Sequence, residues 1–307
     1  MPHLNRNWTV CEGPTVSSQA PKNLPASVHA KLLAIAKQRT VNYEHILQQY
    51  VNERILYRLS KTRYSNDFVL KGGTLFGLLF GQPNRPTKDI DFLSFGDNEP
   101  ETLRTSFLSI LAVNEDDGIV FDLGTLKADK IKEDEQYEGV RLTCNATFQK
   151  SRILVQIDIG FGDAILTQEK MKLRTLLDFP QPELFVYPPE SVISEKFEAM
   201  VKLGLFNSRM KDFYDIYGYS QEPDFQADKI CEALKQTFSR RTTPIPIVVP
   251  LALTSEFFEN KEKVTQWKAF KKRVKAAENL DLKSVCEQIE QFLMPAVNML
   301  APNAKVE

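Results

Sequence analysis

Apolar positions recur at helical spacing between residues 26 and 61: Val28, Leu32 and Ile35, then Ile46, Leu47, Tyr50, Val51, Ile55 and Leu59. That recurrence predicts two helices, with Thr40 as N-cap of the second. The pattern then shortens. Phe68-Val69-Leu70 is a brief apolar run ending in Lys71, Gly72 and Gly73, and residues 75–80 form another. After a Pro-rich turn at 82–87 the chain enters Asp89-Ile90-Asp91-Phe92. This reads as strand, tight glycine turn, helix, loop and strand. Residues 101–113 place Leu103, Phe107, Leu108 and Leu111 on one helical face. The runs 119–121, 125–126, 140–148 and 153–159 predict strands, the last two joined as a hairpin through 149–152.

Pro180, Pro182, Pro188 and Pro189 mark a change of pattern. Beyond them the periodicity is helical over 190–203, with Ile193, Phe197, Met200 and Val201 inward, and again after Ser208, read as a helix cap. Further helical stretches span 230–238, 255–274 and 282–293, interrupted by a proline-studded loop at 244–250. Residues 1–25 show no period and read as an arm, resting on the body through Trp8. The expected division is an arm (1–25), a core of mixed sheet and N-terminal helices (26–180) and a mainly helical C-terminal domain (181–307). The fold class is α+β.

Composition narrows the chemistry. The chain has 307 residues, room for one large domain or two ordinary ones. With 42% apolar and 26% charged residues it is soluble and globular in character, and neither a membrane-length apolar run nor an h-region is present. The cysteines (Cys11, Cys144, Cys231, Cys286) are scattered, without a C-x-x-C pair. That argues against structural zinc and a disulfide framework, so a reducing, cytoplasmic setting and no membrane partner are expected. A net charge of −1 restricts any nucleic-acid contact to a local patch. The densest basic run, Lys261, Lys263, Lys268, Lys271, Lys272, Arg273 and Lys275, is interleaved with Trp267 and Phe270. It reads either as a solvated face or as a patch for an RNA backbone. His29 and His45 are given no role.

Successive strand residues alternate faces, so Asp89 and Asp91 point the same way while Ile90 enters the core. Two carboxylates so placed repel unless a cation lies between them. Such a pair suits Mg²⁺, with Mn²⁺ as the alternative, shared with substrate phosphates. Gly72, Gly73 and Thr74 open a helix with free N–H groups and a hydroxyl, which is anion-binding chemistry. Metal and phosphate sites together point to a nucleoside triphosphate. On the strand at 153–159, Leu154, Gln156 and Asp158 share the face opposite Ile153, Val155, Ile157 and Ile159. Asp158 is then a third ligand or a strand-end aspartate facing water. Lys196, beside Val192 and Met200, reads as a lysine with a buried stem. Arg209, Asp212 and Asp215 follow at i, i+3 and i+6 along one helix side, as in a solvated ion-paired face. Phe213, Tyr214 and Tyr217 read as packing.

These residues also carry a resemblance. Lys71-Gly72-Gly73-Thr74, a helix, then Thr87-x-Asp89-Ile90-Asp91 resembles the first motif of minimal, DNA polymerase beta-type nucleotidyltransferases. In particular it resembles the AbiEii/AbiGii toxin family, which includes the MenT toxins. The D-I-G-F-G-D segment around Asp158, the Glu195-Lys196-Phe197-Glu198-Ala199 signature and Arg209-x-Lys211-Asp212-x-x-Asp215 extend the likeness across residues 71–217. It implies a nucleotidyltransferase-type mixed sheet and a toxin of a toxin–antitoxin or phage-defence system. Such a toxin transfers a nucleoside monophosphate from an NTP to RNA, tRNA foremost, by a two-metal mechanism, and is restrained by an antitoxin, AbiEi-like or other. By the same resemblance Asp89, Asp91 and Asp158 hold metal and Gly72, Gly73 and Thr74 cradle the triphosphate. Lys71, Lys196, Arg209 and Lys211 neutralise phosphate, and Asp212 is a general base or an anchor for Lys196. Thr74 stands where many nucleotidyltransferases carry Ser, which keeps the hydroxyl. Two other readings remain: a nucleotidyltransferase for small, antibiotic-type acceptors, and a non-catalytic NTP-binding module.

Overall fold

Two asparagines start the helical hairpin at the head of the chain. In the computed structural model, which describes residues 23–80, 87–134, 137–161, 169–222 and 225–300, helix α1 (Leu24–Gln38) is capped by Asn23. Helix α2 (Tyr43–Ser60) is capped by Asn42, whose Oδ1 accepts the Glu44 N–H at 2.9 Å. Thr40, expected as that cap, lies in the preceding turn at φ +54, far from the extended backbone an N-cap requires. Trp8 and the arm up to residue 22, the turn at 82–86, and Gly162 and Asp163 lie outside the described residues.

The glycine turn divides strand β1 (Phe68–Lys71) from helix α3 (Gly72–Phe80), and strand β2 (Asp89–Ser94) follows. Helix α4 (Pro100–Leu111) leads to the long strands β3 (Ile119–Asp134), β4 (Tyr137–Phe148) and β5 (Ser151–Phe161). The two short runs expected between 119 and 126 are one strand. Its register shifts between Asp122 and Lys127, where the Thr125 hydroxyl donates to the Asp122 carbonyl and accepts the Asn145 N–H. The hairpin expected at 149–152 is present, with Gln149 at φ +52 in its turn. Strands β6 (Glu169–Lys172) and β7 (Glu183–Val186) complete a seven-stranded sheet of order β3-β4-β5-β2-β1-β7-β6. The sheet is mixed: β2 runs parallel to β5 and β1 parallel to β7, and the other neighbours are antiparallel. It therefore does not stop at residue 180, since β7 lies beyond it.

The C-terminal half is helical: α5 (Pro189–Leu203), α6 (Met210–Ser220), α7 (Ala227–Arg240), α8 (Ser255–Phe258), α9 (Lys261–Arg273) and α10 (Leu282–Leu300). The helix expected over 255–274 is two, because Asn260 breaks it and accepts the Glu262 and Lys263 N–H groups to start α9. Before α6 it is Asn207, not Ser208, whose side chain accepts the Arg209 N–H, at 2.8 Å. Asn207 is fully buried and Ser208 is exposed, and the N-cap of α6 is Arg209, which makes no side-chain cap hydrogen bond. The described residues contain no helix long and apolar enough to cross a membrane.

Helix α2 is buried along nearly its whole length, charged residues included. Arg54 and Arg58 both reach Asp117, just ahead of β3. Arg58 donates from Nη1 at 2.6 Å and Nη2 at 3.1 Å, and Arg54 from Nε at 3.1 Å. Neither arginine is more than 2% exposed and Asp117 is at 0%. One carboxylate thus joins α2 to the sheet. Removing one partner from such a buried set leaves uncompensated charge. Asp117→Ala is therefore expected to lower unfolding free energy by about 3–5 kcal/mol, measured by urea titration.

Glu53, on the same helix, accepts the Leu176 N–H at 2.9 Å and the Gln49 amide at 3.0 Å. Burial nevertheless pushes its carboxyl from 4.5 up to about 8. A carboxyl raised on folding binds its proton more tightly in the native state, so stability falls as pH climbs from about 4.5 to about 8. Glu53→Gln, permanently neutral, is expected to flatten that decline. Melting temperatures of the two proteins should converge below pH 4.5 and diverge, with the variant higher, toward pH 8.

Candidate active site

Strand register builds the site. Asp91 sits opposite Lys71 of β1 and, on its other side, opposite Asp158 of β5. Asp158 in turn faces Arg141 of β4. Lys71, Asp91, Asp158 and Arg141 thus form one row across four adjacent strands, cation, anion, anion, cation. Residues directly opposite on one face interact, so the cations flank a pair whose charges repel. Asp89 lies one pleat along on the same face, opposite Gln156, while Ile90 between the two aspartates is fully buried.

One carboxylate oxygen from each of Asp89, Asp91 and Asp158 lies within 4.8 Å of the others. Three hard anionic oxygens this close match what Mg²⁺ or Mn²⁺ takes. The glycine turn supports the cluster from below. Gly72 has φ +76, and a Cβ there would stand 1.9 Å from Asp91 Oδ2, so the turn is built against that carboxylate and only glycine fits. The Thr74 hydroxyl donates to the Asp89 carbonyl at 2.8 Å. Its proton is thereby spent on fixing β2 to α3. The backbone N–H groups of the turn are what α3 presents for an anion.

Asp158 is gripped on both oxygens. Arg141 donates from Nε to Oδ1 at 2.7 Å and from Nη2 to Oδ2 at 2.8 Å, and Gln156 adds a bond at 3.2 Å. The Arg141 charge is felt first through those hydrogen bonds, and also by Asp89 and Asp91. Sequence reasoning missed this arginine. The signal was present: counting outward from the two-residue turn at 149–150 pairs position 141 with 158.

Helices α5 and α6 supply the other half. Lys196 Nζ donates to Asp212 Oδ1 at 2.6 Å and lies 3.0 Å from Asp215 Oδ2. Arg209 Nε lies 2.6 Å from Asp212 Oδ2 but off the hydrogen-bonding direction, so that contact is Coulombic. Burial pushes the Asp212 carboxyl up. The Lys196 and Arg209 cations, with Lys211 further off, outweigh it and hold the group below its ordinary 3.8. Asp212 is fully buried, whereas Arg209 and Lys211 are exposed. Lys196 and Asp215 border a small cleft shared with Gly72 and Gly73, so this cluster meets the glycine turn. Phe213 and Tyr214 pack inward as expected, Phe213 stacking on Phe257. In the basic run Lys263, Trp267 and Phe270 are buried. Trp267 and Lys271 both donate to the Leu280 carbonyl, so the aromatics serve packing.

The architecture is that of a nucleotidyltransferase. It matches a crystal structure described as "putative nucleotidyltransferase from H. pylori" with TM-score 0.51 and 15% identity, over 85% of this chain and 98% of that one. JHP933 from Helicobacter pylori overlaps at TM-score 0.48 and 16% identity, covering 82% and 94%. No curated protein matches the chain. The family model described as "Nucleotidyl transferase AbiEii toxin, Type IV TA system" matches residues 54–294, and the chain belongs to that family. Membership makes it a nucleotidyltransferase toxin, for which an NTP substrate and an antitoxin are implied.

A cation beside a metal site opposes metal entry, and without metal it relieves carboxylate repulsion. Arg141→Met is therefore expected to melt lower than wild type in chelator and to gain more on adding Mn²⁺. Thermal melts of both proteins with and without the ion check this.

Proposed function

We propose that this protein transfers a nucleoside monophosphate from an NTP to an RNA acceptor, tRNA foremost, in the cytoplasm, and that a cognate antitoxin restrains it. The observation that carries this reading is the meeting of the Asp89–Asp91–Asp158 cluster with Lys196 at the two sides of one glycine turn. Asp89, Asp91 and Asp158 would hold divalent metal, Mg²⁺ or Mn²⁺ and in the two-metal form a pair. When bound, it neutralises charge on the reacting phosphate and acidifies the acceptor hydroxyl.

The remaining roles belong to this chain's own groups. Backbone N–H groups of Gly73 and Thr74 receive triphosphate oxygens at the start of α3. Lys196 is aimed at them, with its ammonium held by Asp212 and Asp215. Arg209, half exposed beside Asp212, and Lys211 offer positive charge to the departing pyrophosphate. Lys71, opposite Asp91, does the same from the sheet. Asp212 acts as the anchor for Lys196 rather than as a general base. A base must reach the proton it takes, and this carboxylate is fully buried behind the lysine.

Protein incubated with Mg²⁺, each radiolabelled NTP in turn and total RNA is expected to label RNA. Asp89→Ala and Asp91→Ala should each reduce labelling about a hundredfold or more. Equal labelling by either variant, or pyrophosphate release that requires a small acceptor and leaves RNA unlabelled, would overturn the assignment.

A further inference from the structure

On the far side of α3 from Lys196 lies a cavity of about 860 Å³, within the range of small-ligand sites. It is walled by α1, α2, α3 and the end of α9, and it reaches Thr87 at the approach to β2. Thr74, Gly77 and Leu78 face it, whereas Gly72 and Phe76 border the Lys196 cleft. At about 100° per residue those two sets lie on opposite faces of the helix. Gly73 borders both spaces.

The walls combine two characters. Leu33, Val41, Ile46, Leu78 and Val274 offer apolar surface, and Leu33 and Val41 remain 36% and 39% exposed at its edge. Lys37 and Arg39 from the end of α1, and Lys272 and Arg273 from the end of α9, bring positive charge from two separate segments. Glu53 is the sole acid among the described lining residues, and burial keeps its carboxyl neutral up to about pH 8. An apolar floor under a cationic rim with no ionised acid fits a nucleobase attached to a phosphate backbone.

We propose that this cavity seats the terminal nucleotide of the RNA acceptor, an inference that rests on the nucleotidyl-transfer reading above. In-line displacement at the α-phosphate puts the attacking and departing oxygens on opposite sides. With Lys196, Arg209 and Lys211 drawing the pyrophosphate to one flank of Gly73, the acceptor hydroxyl enters from the other, where the cavity opens. The acceptor oxygen forms its bond to the α-phosphorus as the bond to the pyrophosphate oxygen breaks, and the hydroxyl proton leaves to solvent. The cations of the rim then grip backbone phosphates behind the terminal nucleotide.

The test uses the full chain with two variants at exposed positions, Lys37→Glu/Arg273→Glu and Ala276→Trp. Melting temperature serves as the control for folding. Binding of a mixed tRNA pool is followed by fluorescence anisotropy at fixed salt, and binding of a non-hydrolysable NTP by calorimetry. A tRNA pool carrying 3′-terminal 4-thiouridine is crosslinked by ultraviolet light and the adducts are mapped. The expected result is tRNA affinity lowered by about tenfold or more, unchanged NTP affinity, and adducts on the cavity wall around Val41, Tyr43 or Val274. Lowered NTP affinity with unchanged tRNA binding would overturn the proposal in favour of the donor's own base. Unchanged binding of both, or adducts only elsewhere, would overturn it outright. A wild-type protein that labels no RNA while the variants still lose tRNA binding would end the transfer reading and keep the cavity assignment.

Discussion

Like charge on one face of a sheet is the constraint around which this structure is arranged. Three carboxylates within a few ångströms, on strands that the backbone ladder prevents from separating, would push the sheet apart at β2 and β5. The row of Lys71, Asp91, Asp158 and Arg141 answers this with a cation at each end. Strand register decides this arrangement: a one-residue slip of β5 against β2 would turn Asp158 to the opposite face. Register is in turn held by the buried set Ile90, Ile157, Ile159 and Val140, which permits only one alternation. The apolar pattern and the charged row are therefore two sides of a single specification.

Helix α2 plays the matching part on the helical side. Its Arg54 and Arg58 meet at Asp117, immediately before the strand that pairs with β4. The same helix turns Ile46, Gln49 and Glu53 toward the large cavity. A buried ion cluster of this kind confers little net stability over an apolar replacement, because desolvation consumes most of the Coulombic gain. Its value here is positional. It fixes the rotation and height of α2 relative to the sheet, and so fixes one wall of the cavity relative to the glycine turn.

Much of this was legible in the residues. Alternation along 89–91 and 153–159 put three aspartates on polar faces, and the glycines after Phe68-Val69-Leu70 marked the turn against which they sit. The parts that escaped depend on partners remote in sequence. Arg54 and Arg58 lie within the apolar stripe of α2, three or four residues from Tyr50, Val51 and Ile55, so periodicity points them inward, but nothing local shows that Asp117 will come to meet them there. Arg141 was hidden for a different reason: its partner is found only by carrying hairpin register back through a whole strand. Helix starts were misplaced by two residues at Thr40 and by one at Ser208. Asn42 caps α2 by accepting the Glu44 N–H, whereas α6 starts after Arg209 with no side-chain cap, Asn207 turning the chain ahead of it by accepting the Arg209 N–H. The break at Asn260 has the same origin as the start at Asn42.

The short helix α3 shows why the site is where it is. Nine residues are too few to be stable alone, so its position depends on what it packs against, with Leu75, Phe76 and Leu78 buried. Its start is pressed against Asp91 by Gly72 and tied to β2 by the Thr74 hydroxyl, while Phe76 packs on Tyr219 of α6. Those contacts aim its first N–H groups at the space between the sheet's carboxylates and the lysine held by Asp212 and Asp215. An anion arriving there meets a helix start and an ammonium beside the acidic cluster. Each of the three comes from a different part of the chain, so the site exists only when sheet, α3 and the α5–α6 pair have all packed. Assembled this way, the helix start, the ammonium and the carboxylates are fixed relative to one another before any ligand binds, and preorganised electrostatics is what group-transfer reactions most require.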